Sequence, residues 1–199
     1  AETVAEIERK GGMAFALSAF LGPEGTAEAL GEAFLAQVEE RTGEAAVDIL
    51  VNNVGGGGFS RVPDTTNDYF DAVVGKNVRV PYFLVQKLLP TMRSGGSVIN
   101  ISSAAARLTN PDLQVYSLAK AAQNKFTQVL AREIGPKGIK VNGIMPGFID
   151  TEVNRPYLED PANLQAVLKN TALGRLGRPE DIANVAVALC SDAFGFVTG

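Results

Sequence analysis

The chain has 199 residues, of which 46% are hydrophobic and 20% are charged, and its formal net charge is −4. This length predicts a single domain over residues 1–199 with a substantial core. An acidic chain argues against nucleic acid or an anionic membrane as a partner, and the absence of histidine excludes serine–histidine catalysis and histidine-based zinc sites.

The chain contains one cysteine, Cys190, so no disulfide can form between two of its own residues. A lone thiol suits a reducing compartment, and no apolar run reaches the length needed to span a membrane. We therefore expect a cytoplasmic protein without a metal site.

Apolar runs that predict strands alternate along the chain with amphipathic stretches that predict helices. In chain order the predicted elements are a helix over residues 1–10, a strand over 13–19, a helix over 26–41, a strand over 47–53, a helix over 66–92, a strand over 98–101, a helix over 115–134, a strand over 139–145, and helices over 161–169 and 179–190. This alternation predicts a Rossmann-like, doubly wound parallel sheet between two helical layers, an α/β/α fold. Within residues 66–92, Pro81 requires a local distortion of the helix.

Tyr116 and Lys120 lie four residues apart in a predicted helix, so both side chains project from one face. An unperturbed tyrosine titrates near ~10, and a cation held beside it favours the phenolate. The pair is therefore a plausible acid/base device, although the spacing alone is also typical of a helix-surface pair. Ser103, just past the carboxyl end of the strand predicted over 98–101, lies where open α/β sheets bind ligands.

At these residues the sequence resembles the short-chain dehydrogenase/reductase family. The resemblance extends over essentially the whole chain, and six motifs occur in the family's order. The matching segments are Asn52-Asn-Val-Gly55, Lys76-Asn-Val-Arg-Val80, Ser103 with Tyr116 and Lys120, Pro146-Gly-Phe-Ile-Asp-Thr151, Gly174-Arg-Leu-Gly-Arg-Pro-Glu-Asp-Ile182 and Val197-Thr-Gly199.

The resemblance implies hydride transfer between NAD or NADP and a carbonyl or secondary alcohol. It implies that Tyr116 is the general acid/base, that Lys120 lowers the pKa of Tyr116 and holds the nicotinamide ribose, and that Ser103 polarises the substrate oxygen. Asn77 would hold a water that links Lys120 to solvent. The residues that the resemblance assigns to cofactor binding are Asn53, Gly55, Tyr116, Lys120, Pro146, Gly147, Ile149 and Thr151.

One element of a dinucleotide fold is missing from the sequence. No strand is followed by the Gly-x-Gly-x-x-Gly turn that binds pyrophosphate, and the Gly55–Gly58 run is interpreted instead as a flexible loop beside the cofactor ribose. In the 3-2-1-4-5-6 strand order, the first two strands would lie between the segments 13–19 and 47–53. We therefore expect the chain to be part of a longer polypeptide.

Residues 152–172 correspond to the family's mobile substrate-binding segment, and we expect them to form a lid over a moderately apolar small molecule. At motif level the chain resembles the 3-oxoacyl thioester reductases and the sugar and steroid alcohol dehydrogenases equally well, and the segment 146–151 favours a 3-oxoacyl thioester. The helices over 66–92 and 115–134 are the family's usual contact surface, which implies a homodimer or homotetramer. Two alternatives remain open: a cofactor-binding or regulatory protein of the same fold without turnover, and a lyase or epimerase.

Overall fold

The centre of the fold is a sheet of three parallel strands. The computed structural model describes residues 2–199, and the strands lie in the order β1 (Val47–Asn52), β2 (Met92–Ile101) and β3 (Lys140–Ile144). Val98 and Ile99 in the middle strand point to opposite faces, and both are fully buried. The sheet is therefore covered on both sides at its centre, as the alternation of elements predicts.

Helices connect and flank these strands. Within residues 2–199 they are α1 (Glu2–Arg9), α2 (Thr26–Thr42), α3 (Asn67–Val74), α4 (Val80–Leu88), α5 (Gln114–Ile134), α6 (Arg155–Leu158), α7 (Pro161–Lys169) and α8 (Pro179–Cys190). Most of the predicted elements are confirmed to within two residues. The strand predicted over 98–101 is longer, because β2 begins at Met92. No helix in this part of the chain is long and apolar enough to cross a membrane.

The helices form two layers on opposite faces of the sheet. On one face, Val85 of α4 and Leu130 of α5 pack in the same buried cluster as Val98 of β2. On the other face, Lys140 donates hydrogen bonds from Nζ to the carbonyls of Leu189 and Ser191 at the end of α8, at 2.9 and 3.0 Å. The architecture is therefore the predicted three-layer α/β/α fold, with α5 lying directly on the strands.

The prediction of a strand over residues 13–19 is wrong. This segment has no ladder partner, and a groove of about 440 Å³ separates it from β1, lined by Met13 and Phe15 on one side and by Ile49 and Leu50 on the other. A strand is defined by hydrogen bonds to a neighbour. Among the described residues, β1 pairs only with β2, and the groove keeps this segment from pairing with the free outer edge of β1.

The helix predicted over residues 66–92 is interrupted rather than continuous. Residues Gly75–Arg79 form a π-helical segment between α3 and α4, in which the Val80 N–H bonds to the Gly75 carbonyl. Pro81 explains the distortion, because it has no N–H to return to the Asn77 carbonyl and its ring crowds that carbonyl. The predicted distortion at Pro81 is thus confirmed, and it contains Asn77.

Candidate active site

The loops that follow β1, β2 and β3 meet at one edge of the sheet, because the carboxyl ends of parallel strands all lie there. The Ser102 N–H donates to the Ile144 carbonyl at 2.8 Å, and the Ala104 N–H donates to the Pro146 carbonyl at 2.9 Å. The loop after β2 is thereby fixed to the loop after β3. Ser103 lies between these two contacts, and Pro146 lies directly beside its loop.

A chain of buried polar side chains fixes α5 against this edge. Asn52 of β1 donates to Asn100 of β2 at 2.9 Å, and Asn100 donates to Thr127 of α5 at 2.9 Å. The Ser102 hydroxyl also donates to the Lys120 carbonyl at 3.2 Å. These contacts set the rotation of α5, so that its first turns face the carboxyl ends of the strands.

Tyr116 and Ser103 are brought together by this arrangement. Tyr116 lies in the first turn of α5, and the Ser103 hydroxyl oxygen accepts a hydrogen bond from the Ala105 N–H at 3.1 Å. That contact orients the serine and leaves its proton available for donation. Burial raises the pKa of Tyr116 above its ordinary value, and the neighbouring Ser103 hydroxyl offsets part of this effect.

Lys120 is a buried cation held by two neutral acceptors. The residue is only 2% exposed, and its Nζ donates to the Ile101 carbonyl at 2.8 Å and to Gln123 Oε1 at 3.1 Å. Nζ also lies 5.8 Å from the centre of the Tyr116 ring. Burial lowers the pKa of Lys120 to about 8, because desolvation disfavours the charged ammonium group.

Burial, rather than Lys120, is the largest influence on the Tyr116 phenol, and it raises the pKa of that group. The Lys120 ammonium is turned toward the Ile101 carbonyl and Gln123. The lowering of the Tyr116 pKa by Lys120, which the resemblance implies, stays a prediction.

Asn77 anchors the glycine run rather than standing free in a cleft. Its side chain is fully buried, donates to the carbonyls of Gly56 and Val73 at 2.9 and 2.8 Å, and accepts from the Gly56 N–H at 3.3 Å. The Tyr69 hydroxyl makes a matching pair of contacts with the N–H and carbonyl of Gly58, both at 2.7 Å. The glycine run is therefore held at two points, by Asn77 at Gly56 and by Tyr69 at Gly58. Its place beside the cofactor ribose stays a prediction.

Two glycines in this loop allow its backbone to approach the site closely. A Cβ placed on Gly55 would lie 2.8 Å from Asn77 Oδ1 and 2.9 Å from Lys120 Nζ. A Cβ on Gly57 would lie 3.0 Å from the Tyr116 ring. Side chains at these positions would displace the groups around Lys120 and Tyr116, so glycine is required for close approach here.

The other residues assigned to the cofactor lie on two loops. Asn53 follows β1 and is exposed, whereas its neighbour Asn52 is buried in the polar chain described above. In the loop after β3, Gly147 is exposed, Ile149 forms a bridge with Gly177, and the Thr151 carbonyl accepts from the N–H of Asn154. The residues Pro146–Thr151 thus flank the Ser103 loop, while Asn53 lies at the end of a different strand.

An aromatic cluster links the segment 152–172 to the loops on either side of the site. The Tyr157 ring of α6 stacks on Phe148 with centroids 5.6 Å apart, and it contacts Phe59 at 5.9 Å. Phe59 lies two residues beyond Gly57, and Phe148 lies two residues beyond Pro146. Aromatic pairs at these distances attract each other, so the cluster holds this segment beside the site.

Three residues around the site are missed by the sequence analysis. Tyr69 anchors the glycine run, Ser102 fixes the Lys120 backbone, and Gln123 contacts the Lys120 ammonium. Gln123 carries a readable signal, because it lies three residues after Lys120 on the apolar face of α5, where a polar side chain is unexpected. The other two carry no distinguishing pattern in one sequence.

Comparison with known proteins shows similarity over nearly the whole chain. Residues 2–199 match the protein family described as enoyl-(acyl carrier protein) reductase. The chain is 36% identical over 198 residues to 7alpha-hydroxysteroid dehydrogenase of Escherichia coli (strain K12). This match covers 98% of this chain and 74% of that relative. It is also 37% identical over 167 residues to acetoacetyl-CoA reductase of Shinella zoogloeoides. That match covers 83% of this chain and 68% of the relative.

Among solved structures, the angucycline C-6 ketoreductase LanV with bound NADP matches with a TM-score of 0.92 and 32% sequence identity. The match covers 99% of this chain and 76% of that one. The similarity therefore includes the fold as well as the sequence.

Proposed function

The chain belongs to the short-chain dehydrogenase/reductase family of NAD(P)-dependent oxidoreductases, and on that basis we propose that Ser103, Tyr116 and Lys120 perform its hydride-transfer chemistry. The observation that carries the proposal is the convergence of these three side chains at the carboxyl end of β2. A buried phenol, a neighbouring hydroxyl and a buried cation form a site that can exchange a proton with a carbonyl oxygen.

The residues around Lys120 fit the nicotinamide end of the cofactor. The ammonium group has three N–H donors, of which two bond to the Ile101 carbonyl and Gln123. We propose that the third donates to a ribose hydroxyl on the side of Gly55, whose lack of a side chain lets the backbone lie close to Nζ. When bound, NAD(P) supplies or accepts the hydride. NADP is the form to test first, because the LanV structure contains it.

In the direction of carbonyl reduction, Tyr116 donates its hydroxyl proton to the substrate oxygen. Its raised pKa keeps the phenol protonated at neutral pH, which is the form this step requires. The Ser103 hydroxyl donates a second hydrogen bond to the same oxygen as negative charge develops there. Asn77 completes the proposed set, because Pro81 cannot supply the usual helical N–H to its carbonyl, and we propose that this carbonyl holds a water near Lys120.

The proposed substrate is an apolar carbonyl compound, covered by the lid formed by residues 152–172. A 3-oxoacyl thioester is the first candidate, and similarity to an acetoacetyl-CoA reductase supports it. A fused-ring ketone is the second candidate, because the stacked rings of Phe148 and Tyr157, with Phe59 beside them, offer flat apolar surfaces next to the site.

A substrate panel tests the proposed function. Protein expressed from the complete gene is mixed with NADPH or NADH and with acetoacetyl-CoA or 2-tetralone, and the absorbance of the reduced nicotinamide is followed. We expect carbonyl-dependent loss of that absorbance. Cofactor binding without any turnover would favour a regulatory protein, and product formation without net cofactor change would favour a lyase or epimerase.

The proposal extends to a homodimer or homotetramer in the cytoplasm. Apolar side chains on α4 and α5 are about half exposed, including Tyr82, Leu118 and Val129. A second copy of the chain would cover them. We expect light scattering to give a mass at least twice that of one chain, and a monomeric mass would contradict the proposed assembly.

A further inference from the structure

Gln123 is a polar side chain at a core position of α5. It is 1% exposed, and the same face of the helix carries Ala119, Leu130 and Ile134. Its Oε1 accepts a hydrogen bond from Lys120 Nζ at 3.1 Å, whereas its Nε2 has no hydrogen-bond partner among the residues that the structure describes.

The buried Gln123 amide costs free energy, which another contact must offset. A buried amide whose N–H groups make no hydrogen bonds is destabilising relative to an apolar residue of similar size. An aliphatic side chain would suit the surrounding face of α5 better. The compensating contact is the one to Lys120, where the Gln123 carbonyl is one of two neutral acceptors for a desolvated cation.

We infer that Gln123 is a positioning residue that holds the Lys120 ammonium group in place and sets its affinity for a proton. The catalytic consequence of this inference rests on the role proposed above for Lys120. The contact itself does not, because both of its partners are side chains of this chain.

The groups around Lys120 make its titration sensitive to Gln123. From its own helix Lys120 faces Tyr116 and Gln123, and from β2 it faces the Ile101 carbonyl. The Gly55 backbone and the Asn77 side chain lie beside its Nζ. The titratable neighbour is Tyr116, which is neutral while protonated. A hydrogen bond to the charged form of a group favours that form, so loss of the Gln123 carbonyl should make the ammonium easier to deprotonate.

Two substitutions test this inference in opposite directions. Gln123→Leu removes the acceptor and should lower the pKa of Lys120 by about one unit, whereas Gln123→Glu places a carboxylate beside the ammonium and should raise it by at least about one unit. The readout is the ¹³Cε chemical shift of lysine in cofactor-free, ¹³C-labelled protein, titrated with pH. The Lys120→Met variant identifies the signal.

Matched controls separate positioning from a general effect on the helix. Gln128 lies on the exposed side of α5, so Gln128→Leu and Gln128→Glu make the same chemical changes away from Lys120. Both controls should leave the titration of Lys120 unchanged.

The inference is overturned if the Lys120 midpoint moves by less than about a third of a pH unit in folded Gln123→Glu protein. That variant decides the test even if Gln123→Leu fails to fold. If the titration shifts as expected but no carbonyl compound is reduced, Gln123 still positions Lys120 and the proposed enzymatic function fails separately. If turnover is present, its pH profile should move in the same direction as the Lys120 midpoint.

Discussion

Tyr116→Phe should reduce turnover by at least about 100-fold, the usual scale for losing a general acid or base. The phenylalanine ring keeps the packing against Gly57 and removes only the hydroxyl group that faces Ser103. The fold and the affinity for the cofactor should therefore stay close to those of the parent protein. Initial rates of carbonyl reduction and a fluorescence titration with NADPH measure the two effects separately.

Tyr82→Phe is the matched control for this substitution. Tyr82 lies on α4 with about half of its surface exposed, away from the site, so loss of its hydroxyl should leave the rate unchanged. A Tyr116→Phe variant with a rate near that of the parent would contradict the proposed acid/base role.

Lys120→Met should weaken cofactor binding by at least about tenfold as well as lower turnover, because a hydrogen bond from a charged group contributes more than about 1.4 kcal/mol. Methionine has similar length and keeps the buried position filled, but it cannot donate to the Ile101 carbonyl, to Gln123 or to a ribose hydroxyl. The dissociation constant for NADPH, measured beside the rate, tests both effects. Unchanged cofactor affinity would argue against the ribose contact.

The same variant should change how stability depends on pH. Burial lowers the pKa of Lys120 from 10.5 to about 8, so between these values the unfolded chain holds a proton that the folded protein has released. The contribution of Lys120 to the free energy of unfolding therefore rises as the pH increases from about 8 to about 10.5, and this contribution is lowest below pH 8. Urea unfolding of the parent should show this rise relative to Lys120→Met.

Lys125→Met provides the control for the stability measurement. Lys125 is exposed on the same helix, so its replacement should give a pH dependence parallel to that of the parent. A constant difference in unfolding free energy between the parent and Lys120→Met across this pH range would contradict a lowered pKa.

The fold follows from the sequence wherever local periodicity determines it. The buried strands β1 and β3 and the helices α5, α7 and α8 were predicted because their apolar spacing is characteristic and their ends carry glycine or proline. Residues 13–19 share the apolar pattern of a strand but lack a neighbour to pair with, and pairing is a non-local property that composition does not contain.

The site divides in a similar way. Ser103, Tyr116, Lys120 and Asn77 could be predicted because their order and spacing resemble a known family, and the structure brings all four to one edge of the sheet. The direction of the Tyr116 pKa was not predictable, because it depends on burial and on where the Lys120 ammonium points. The anchoring of Gly56 by Asn77 likewise depends on a π-helical turn that tertiary packing stabilises.

Deuterium transfer tests the central claim most directly. The protein is supplied with NADPH deuterated at both C4 positions and with a reducible ketone, and the alcohol product is analysed by mass spectrometry and NMR. We predict deuterium on the former carbonyl carbon with the parent protein and almost no labelled alcohol with Tyr116→Phe. An alcohol without deuterium, or equal labelling in the Tyr116→Phe variant, would contradict hydride transfer assisted by Tyr116.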